Sequence, residues 1–394
     1  MDQLPIVILK SGKDQSLKRF HPWIFSGAIK KIKGEPVEGQ LVRVFSNQEE
    51  YLGTGHYQIG SIAVRIITFK DINIDFSFWI YKIRQAVDYR KEIGLEITPE
   101  NNVIRLIHAE GDNLPGLIVD YYNGTAVVQM HSVGMFKNRD IIYQSLKEVM
   151  GDNLKAIYEK SEGTLPFKAK IEPKNGYIFG SITDKIVIEN GLKFEIDWEA
   201  GQKTGFFIDQ RDNRSLVEKY SNGKKVLNMF CYTGGFSVYA LRGKAKTVIS
   251  VDSSKLAIDQ TKKNVELNFK TANHESICED AFTFLDNMNE DYDLIILDPP
   301  AFAKHNDVLQ NALQGYKRLN AKALGKIKRG GILFTFSCSQ VVSKENFRKS
   351  VFAAAANTGR EVKILHQLSQ PPDHPVNIYH PESEYLKGLV LHVF

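Results

Sequence analysis

The sequence predicts a multidomain chain of 394 residues: a small amino-terminal β-barrel over residues 1–72, a central α+β domain over 73–198, and a doubly wound, Rossmann-like α/β domain over 199–394. Two observations underlie this prediction. Short strand-like runs punctuated by glycine and polar residues fill the first part of the chain. After about residue 200, apolar strands alternate with helices, which is the pattern of a parallel sheet covered on both faces.

The first domain is predicted from its short, evenly spaced strands. A barrel of this size is too small for an enzyme core and suits a recognition module. The predicted strands are 6–10, 21–27, 40–45, 51–56 and 62–69.

The middle of the chain mixes helices and strands. Apolar residues at helical spacing predict helices, and short β-branched runs between turn residues predict strands. The predicted helices are 76–95 and 137–150, and the predicted strands are 103–108, 116–121, 125–130, 156–159 and 192–197.

The last domain alternates strand and helix, so its ligands are expected at the carboxyl ends of the strands. A further apolar strand follows near the end of the chain. The predicted strands are 225–230, 247–252, 276–278, 293–298, 331–336 and 388–394, and the predicted helices are 235–241, 255–268 and 308–327.

Composition narrows the function classes. The chain is 43% hydrophobic and 25% charged, as globular proteins are, and its start lacks an apolar run long enough for a signal peptide or a membrane span. A cytoplasmic protein with no membrane partner is therefore expected. Three widely separated cysteines predict neither disulfides nor a metal site.

The net charge of +5 is modest, but its distribution is uneven. Residues 304–360 contain eleven lysines and arginines and only two acidic residues. Such a cluster is either a solvated helix face or a contact for nucleic acid. If the partner is a nucleic acid, Lys304, Lys317, Arg318 and Lys322 are the residues expected to grip its phosphates.

The first strand of the α/β domain ends in a loop with two adjacent glycines, Gly234 and Gly235, where something must approach the backbone closely. Asp252 ends the next strand, 24 positions after Asn228, where a carboxylate would meet the hydroxyls of a ribose. The run 279–281 is placed to meet an adenine ring. An ordinary turn and a helix cap are the structural alternatives.

The sequence of the same loop argues against dinucleotide and nucleoside-triphosphate ligands. Its spacing does not match the dinucleotide fingerprint, and no phosphate-binding P-loop motif occurs in the chain. S-adenosylmethionine is a nucleoside cofactor without a phosphate, and it fits this pattern.

A motif for base chemistry follows the fourth strand. Asp298-Pro299-Pro300-Ala301-Phe302 has two prolines that stiffen the loop and place the Asp298 carboxylate at the sheet edge. A strand-terminal Asn/Asp-Pro-Pro-aromatic run is typical of methyltransferases that act on nucleic-acid bases, although Phe302 stands one place later than the aromatic residue of the amine-methylating version. A capped loop is the alternative interpretation.

Cys338 follows the fifth strand in the run Phe336-Ser337-Cys338-Ser339, so it is expected to share a crevice with Asp298. Carbon 5 of cytosine is a poor nucleophile until a group adds to carbon 6, and a thiolate suits this role. Nearby positive charge would increase the thiolate fraction. Cys231 and Cys278 are interpreted as packing residues.

These motifs together resemble one family over nearly the whole chain: the 23S ribosomal RNA 5-methylcytosine methyltransferases, which combine a PUA domain, a central α+β domain and a class I methyltransferase domain. Besides the loops above, the matching runs are His21-Pro22-Trp23-Ile24-Phe25, Glu110-Gly111-Asp112-Asn113-Leu114-Pro115-Gly116-Leu117 and Lys203-Thr204-Gly205-Phe206-Phe207-Ile208-Asp209-Gln210-Arg211.

The resemblance implies a ribosomal RNA substrate, S-adenosylmethionine as cofactor, and Cys338 as nucleophile with Asp298 beside it. Many RNA 5-methylcytosine enzymes have a second cysteine where this chain has Pro300, so the base that completes the cycle is not identified. A homodimer is a further expectation. The residues expected to surround or support the cofactor are Phe206, Asp209, Gln210, Asn228, Phe230, Tyr232, Gly234, Asp252, Ser253, Asp280, Ala281, Asp298 and Pro299.

Two other functions stay open from the residues. Asp298-Pro299-Pro300 would suffice for methylation of an exocyclic amine, in which case Cys338 is a core residue. A ribosome-assembly factor could bind RNA and keep the cofactor fold only as a scaffold.

Overall fold

A computed structural model describes residues 4–166, 169–181, 184–288 and 291–394. The chain divides into two compact units. The first comprises residues 1–187, 196–206 and 372–383, of which residues 1–3 lie outside the described part. The second comprises residues 188–195, 207–371 and 384–394.

The first unit begins with a six-stranded sheet in the order β2-β6-β5-β4-β1-β3. Most of its neighbouring strands are antiparallel, and β1 and β4 are parallel. Alternate apolar side chains such as Val7, Val42 and Val64 are fully buried in its core. The elements are β1 (Ile6–Leu9), α1 (Gln15–Lys18), β2 (Trp23–Phe25), β3 (Ile29–Lys33), β4 (Leu41–Phe45), β5 (Tyr51–Tyr57) and β6 (Ile62–Thr68).

The rest of the first unit is the predicted α+β segment. Its five strands form a sheet in the order β11-β10-β9-β8-β7, and the helices α2 and α4 contribute apolar side chains to one core with it. The elements are α2 (Phe76–Glu92), β7 (Val103–His108), β8 (Leu117–Tyr122), β9 (Thr125–Met130), α3 (Val133–Lys137), α4 (Arg139–Met150), β10 (Ala156–Glu159) and β11 (Gly176–Phe179).

A two-stranded sheet of β12 (Ile186–Glu189) and β13 (Leu192–Glu195) follows. The second unit then contains a seven-stranded sheet in the order β16-β15-β14-β17-β18-β20-β19, with β20 antiparallel to both neighbours. Its elements are α5 (Arg211–Tyr220), β14 (Lys225–Met229), α6 (Gly235–Arg242), β15 (Thr247–Asp252), α7 (Lys255–Asn268), β16 (His274–Cys278), α8 (Ala281–Asn287), β17 (Tyr292–Leu297), α9 (Leu309–Lys326), β18 (Ile327–Ser337), α10 (Lys344–Thr358), β19 (Val362–Leu368) and β20 (Lys387–Val393).

This architecture confirms the predicted fold class and most predicted elements. The predicted strand 21–27 is shortened to β2 because a 3₁₀ turn covers Ser26–Ala28. The predicted helix 137–150 is α4, preceded by the short helix α3, for which Ser132 supplies the amino-terminal cap. Elements absent from the prediction include β3, α5, α10 and β19. Among the described residues, no helix combines the length and the apolar character that crossing a membrane requires.

Candidate active site

The carboxyl ends of four parallel strands of the second unit meet at one sheet edge. β14, β15, β17 and β18 are hydrogen-bonded neighbours in parallel pairs. The register aligns Leu297 at the end of β17 with Thr335 near the end of β18. The loops that begin at Phe230, Asp298 and Cys338 therefore leave the sheet at the same edge, as a doubly wound sheet requires of its ligand site.

The loop after β14 has an unusual backbone. Phe230 has φ 58°, Tyr232 has φ 47° and Gly234 has φ 78°. All three lie in the left-handed region that residues other than glycine rarely adopt. A β-carbon at Gly234 would lie 2.7 Å from Cγ2 of Thr261, so glycine is required there for space as well as conformation. The two glycines thus form the sharp bend that the sequence predicted.

Asp252, the last residue of β15, fixes this loop. Its Oδ2 accepts the Tyr232 amide at 3.0 Å and its Oδ1 accepts the Ser254 amide at 2.9 Å, while its carbonyl accepts the Glu279 amide at 3.0 Å. Each carboxylate oxygen keeps a second lone pair. Asp252 is half-buried, and the next residue, Ser253, is exposed. The helix cap of α7 is Ser254 rather than Asp252.

Asp280 and Ala281 begin α8. The Asp280 carboxylate caps the helix by accepting the amides of Phe282 and Thr283, both at 3.0 Å, and it is exposed. Ala281 is buried in the core below. Asp280 is thus a helix cap with its carboxylate at the surface, whereas the helix cap considered for Asp252 is provided by Ser254.

Asn228 lies below the edge rather than on it. It is fully buried, and its Nδ2 donates to the Ser237 hydroxyl at 2.9 Å. That hydroxyl bonds Ser250, whose hydroxyl bonds His274. Burial lowers the pKa of His274 to about 4, so this polar chain is uncharged near neutral pH. Asn228 is placed to support the loop after β14 from beneath.

Asp298 and two residues from the start of α5 share a polar cluster. Gln210 donates its Nε2 to Oδ2 of Asp298 at 3.1 Å and accepts Nδ2 of Asn213 at 2.6 Å. Burial, and next the nearby Asp209 carboxylate, raise the pKa of Asp298 to about 7. Asp298 is therefore protonated in a large fraction of molecules near neutral pH and can donate a proton.

Only one oxygen of the Asp209 carboxylate has a hydrogen-bond partner among the described residues. Its Oδ2 accepts the Tyr385 hydroxyl at 2.7 Å, whereas its Oδ1 is buried and has no hydrogen-bond partner among the described residues. A buried carboxylate oxygen without a donor is costly. Such an atom is an acceptor suited to a ligand.

Cys338 lies beside the Asp298 loop. Its Sγ is 3.9 Å from the carbonyl oxygen of Pro299, and the residue is half-buried and packs against the core cluster that contains Phe336. Burial, and next the carboxyl groups of Asp298 and Asp209, raise the pKa of Cys338 to about 12, while Lys387 acts in the opposite direction. The resting group is a thiol.

Several residues near Cys338 were not predicted. Tyr316 on α9 accepts a hydrogen bond from Ser337 at 2.9 Å and packs on Phe302, with ring centroids 4.6 Å apart. Lys387 donates to the Ser339 carbonyl at 2.6 Å. A lysine directly before the largely apolar predicted strand 388–394 is a signal that could have indicated Lys387.

Other predicted residues are placed differently. Phe206 is buried in the first unit, and it is Phe207 whose ring lies 5.1 Å from the ring of Tyr232 in the second. Lys304 and Arg318 are exposed and Lys317 is half-buried, with no ion-pair partner within the described ranges. Lys322, in contrast, pairs with Asp286, which reduces the charge it can offer to RNA.

The packing interpretation of the other cysteines is confirmed for Cys231, which is buried, and is wrong for Cys278. Cys278 is exposed because it ends β16, the edge strand of the sheet.

One group of three candidate metal ligands, His21, His380 and Glu382, occurs among the described residues, in the first unit. Nδ1 of His21 accepts the Trp23 amide, which leaves the proton of the neutral ring on Nε2, the atom that would have to bind the metal.

Residues 105–389 match the S-adenosylmethionine-dependent methyltransferase family, and residues 7–69 match a PUA-like domain. The first match spans well over half of the chain.

The chain belongs to the S-adenosylmethionine-dependent methyltransferases.

Curated relatives of this methyltransferase extend over its length. It is 40% identical over 394 residues to the ribosomal RNA large subunit methyltransferase I of Aeromonas hydrophila, with 98% of each chain covered. The protein of the same name from Alteromonas mediterranea is 40% identical over 395 residues, again with 98% of each covered.

Solved structures show the same fold. A chain described as a SAM-dependent methyltransferase from Streptococcus mutans aligns with a TM-score of 0.83 at 24% identity, over 99% of this chain and all of that one. A methyltransferase solved with SAH aligns with a TM-score of 0.85 at 24% identity and the same coverage.

The edge residues of this methyltransferase fit S-adenosylmethionine. Asp252 would accept the ribose hydroxyls, and the partnerless Oδ1 of Asp209 would accept the cofactor's ammonium group. The left-handed loop at Gly234 lets the backbone approach the ligand closely. Both carboxylates suit a ligand that has no phosphate of its own.

We expect Asp252→Ala to weaken cofactor binding by about tenfold or more, because a charge-assisted hydrogen bond contributes roughly 1.5–3 kcal/mol. Calorimetric titration with S-adenosylmethionine measures this. Asp259→Ala on the exposed side of α7, where Asp259 pairs with Lys255 at 2.6 Å, is the control and should bind normally. Equal affinities for wild type and Asp252→Ala would remove Asp252 from the cofactor site.

Proposed function

We propose that this methyltransferase methylates carbon 5 of a cytosine in the ribosomal RNA of the large subunit, with Cys338 as the nucleophile. The observation that supports this most is the approach of the Cys338 sulfur to the Asp298-Pro299 loop, 3.9 Å from the Pro299 carbonyl oxygen. The substrate class comes from the names of the relatives at 40% identity.

The arrangement suits covalent catalysis. The Cys338 thiol loses its proton to solvent and its sulfur adds to carbon 6 of the base, while Asp298, whose pKa burial raises to about 7, donates its proton to ring nitrogen 3. Carbon 5 then becomes nucleophilic. S-adenosylmethionine supplies a methyl group on a positively charged sulfur. Loss of the carbon-5 proton to a base re-forms the double bond, expels the Cys338 sulfur, and returns the nitrogen proton to Asp298.

The target cytosine must leave its stack to reach this edge, at a cost of a few kcal/mol. We assign the grip on the flanking phosphates to Lys304, Lys317 and Arg318, which have no ion-pair partner among the residues described, rather than to Lys322. The PUA-like domain would recognise the shape of the RNA.

We keep the boundaries 1–72, 73–198 and 199–394 as the proposed domains. We place the protein in the cytoplasm because ribosomal RNA is its proposed substrate, and we keep the homodimer as a prediction from the sequence.

The proposal is tested by sequencing methylated cytosines in ribosomal RNA from cells with and without the gene. We expect one 5-methylcytosine in large-subunit RNA to be absent from the deletion strain and restored by the intact gene, but not by the gene carrying Cys338→Ala. Loss of an N-methylated base instead would favour the amine-methylating function. An unchanged RNA and a folded protein that does not bind S-adenosylmethionine would favour the assembly factor.

A further inference from the structure

Lys387 is a buried lysine next to the proposed nucleophile. It begins β20 and is only 5% exposed. The antiparallel register pairs it with Ser337, directly before Cys338, and its Nζ donates to the Ser339 carbonyl at 2.6 Å, directly after Cys338. The ammonium group is therefore tied to the backbone segment that carries the sulfur.

The cation has no carboxylate partner within 4 Å among the described residues. Glu384, three positions earlier, forms its ion pair with Lys344. Burial of a charge without a counterion is costly, and burial lowers the pKa of Lys387 to about 8; Cys338 and Glu384 oppose this decrease, and Lys344 adds to it. A buried lysine in this position is suited to stabilise a negative charge that exists only during the reaction.

The sulfur needs such a partner. Burial disfavours the thiolate most, and the carboxyl groups of Asp298 and Asp209 disfavour it further. The charge on Lys387 acts in the opposite direction. The thiolate must nevertheless form before the sulfur adds to carbon 6, and it forms again when the carbon–sulfur bond breaks.

We propose that the Lys387 ammonium group stabilises the Cys338 thiolate at both of these points. The inference rests on the proposed function. The thiol proton passes to solvent as the thiolate forms, and on release the electron pair of the carbon–sulfur bond returns to sulfur. Lys387 keeps its own proton throughout, so it is a positioning residue that acts through Cys338.

This role has a defined pH dependence. The stabilisation is present while Lys387 is protonated and is lost as the pH rises through about 8. Arginine stays protonated over this whole range. Lys387→Arg should therefore retain the stabilisation above pH 8, and Lys387→Met should lack it at every pH.

The experiment follows alkylation of Cys338 by iodoacetamide, with the modified peptide quantified by mass spectrometry and exposed Cys278 as the internal reference. At pH 7 we expect Lys387→Met to react about tenfold more slowly than wild type, because loss of the cation would raise the pKa of the Cys338 thiol by about one unit. Lys387→Arg should react at about the wild-type rate. Lys326→Met is the matched control, because Lys326 also donates to a carbonyl, that of Met288, but lies at the opposite end of β18.

A wild-type rate for folded Lys387→Met would overturn the inference. If Lys387→Met does not fold, Lys387→Arg decides: its rate relative to wild type should rise about tenfold between pH 7 and pH 9.5, and a constant ratio contradicts the role. Alkylation needs neither RNA nor cofactor. Its outcome is therefore separate from that of the proposed function, which fails if Cys338→Ala still methylates RNA.

Discussion

Cys338→Ala is expected to reduce methyl transfer to RNA by at least about a thousandfold, because loss of a covalent nucleophile removes the route that activates carbon 5. Cofactor affinity should stay within about twofold of wild type, since the residues that fit the cofactor are Asp252, Asp209 and the loop at Gly234. Transfer of a labelled methyl group to RNA and calorimetric titration with S-adenosylmethionine measure the two effects.

Cys278→Ala is the matched control because that cysteine is exposed at the edge strand, where its thiol donates to the Ser253 carbonyl at 3.5 Å. It should methylate RNA normally. If Cys338→Ala retains transfer while its fold is intact, the covalent route is wrong and methylation of an exocyclic amine becomes the better interpretation.

Asp298→Asn is expected to lower the rate of methyl transfer by about a hundredfold to ten-thousandfold, because the amide cannot donate a proton to the ring nitrogen. The amide oxygen can still accept Nε2 of Gln210, so the fold of the loop should be kept. Asp293→Asn is the control: Asp293 accepts the Lys225 amide at 2.8 Å near the amino end of β17, away from the edge.

The pH profile gives a second measurement. Below about pH 7 Asp298 is protonated, so the wild-type rate should rise tenfold per unit with the thiolate fraction of Cys338. Above pH 7 each gain in thiolate is offset by an equal loss of protonated Asp298, and the profile should level and then fall as Lys387 loses its charge near pH 8. Asp298→Asn should keep rising through pH 7. A break near pH 7 in that variant would assign it to another group.

Much of the seven-stranded sheet of the second unit could be predicted because its strands are apolar runs bounded by polar residues. β15 has the predicted ends, β14 ends one residue earlier than predicted, and β17 is shifted by one residue at both ends. The strand β3, Ile-Lys-Lys-Ile-Lys, was missed because its lysines obscure the alternation. The helix α5 was missed because it is rich in charged residues, of which Arg211 and Arg214 are nevertheless buried.

Some residues of the candidate site could likewise be predicted from the sequence, and others could not. Asp298 and Cys338 could be predicted because each directly follows a strand, and adjacent strand ends bring them together. The contacts of Asp209 with Tyr385 and of Lys387 with Ser339 could not, because they depend on β20 entering the sheet antiparallel to β18 from a distant part of the chain. Burial and like charges then set pKa values that no local motif reveals.

The interrupted course of the chain limits how genes for this protein can recombine. The backbone passes between the two compact units five times, after residues 187, 195, 206, 371 and 383. A gene fragment that starts at residue 199 would omit Glu189, which accepts Nε and Nη2 of buried Arg214 at 2.8 Å and 2.7 Å. An orphaned buried arginine of this kind costs about 3–5 kcal/mol. Shuffling between homologous genes should therefore yield stable hybrids only when this glutamate and this arginine are inherited together.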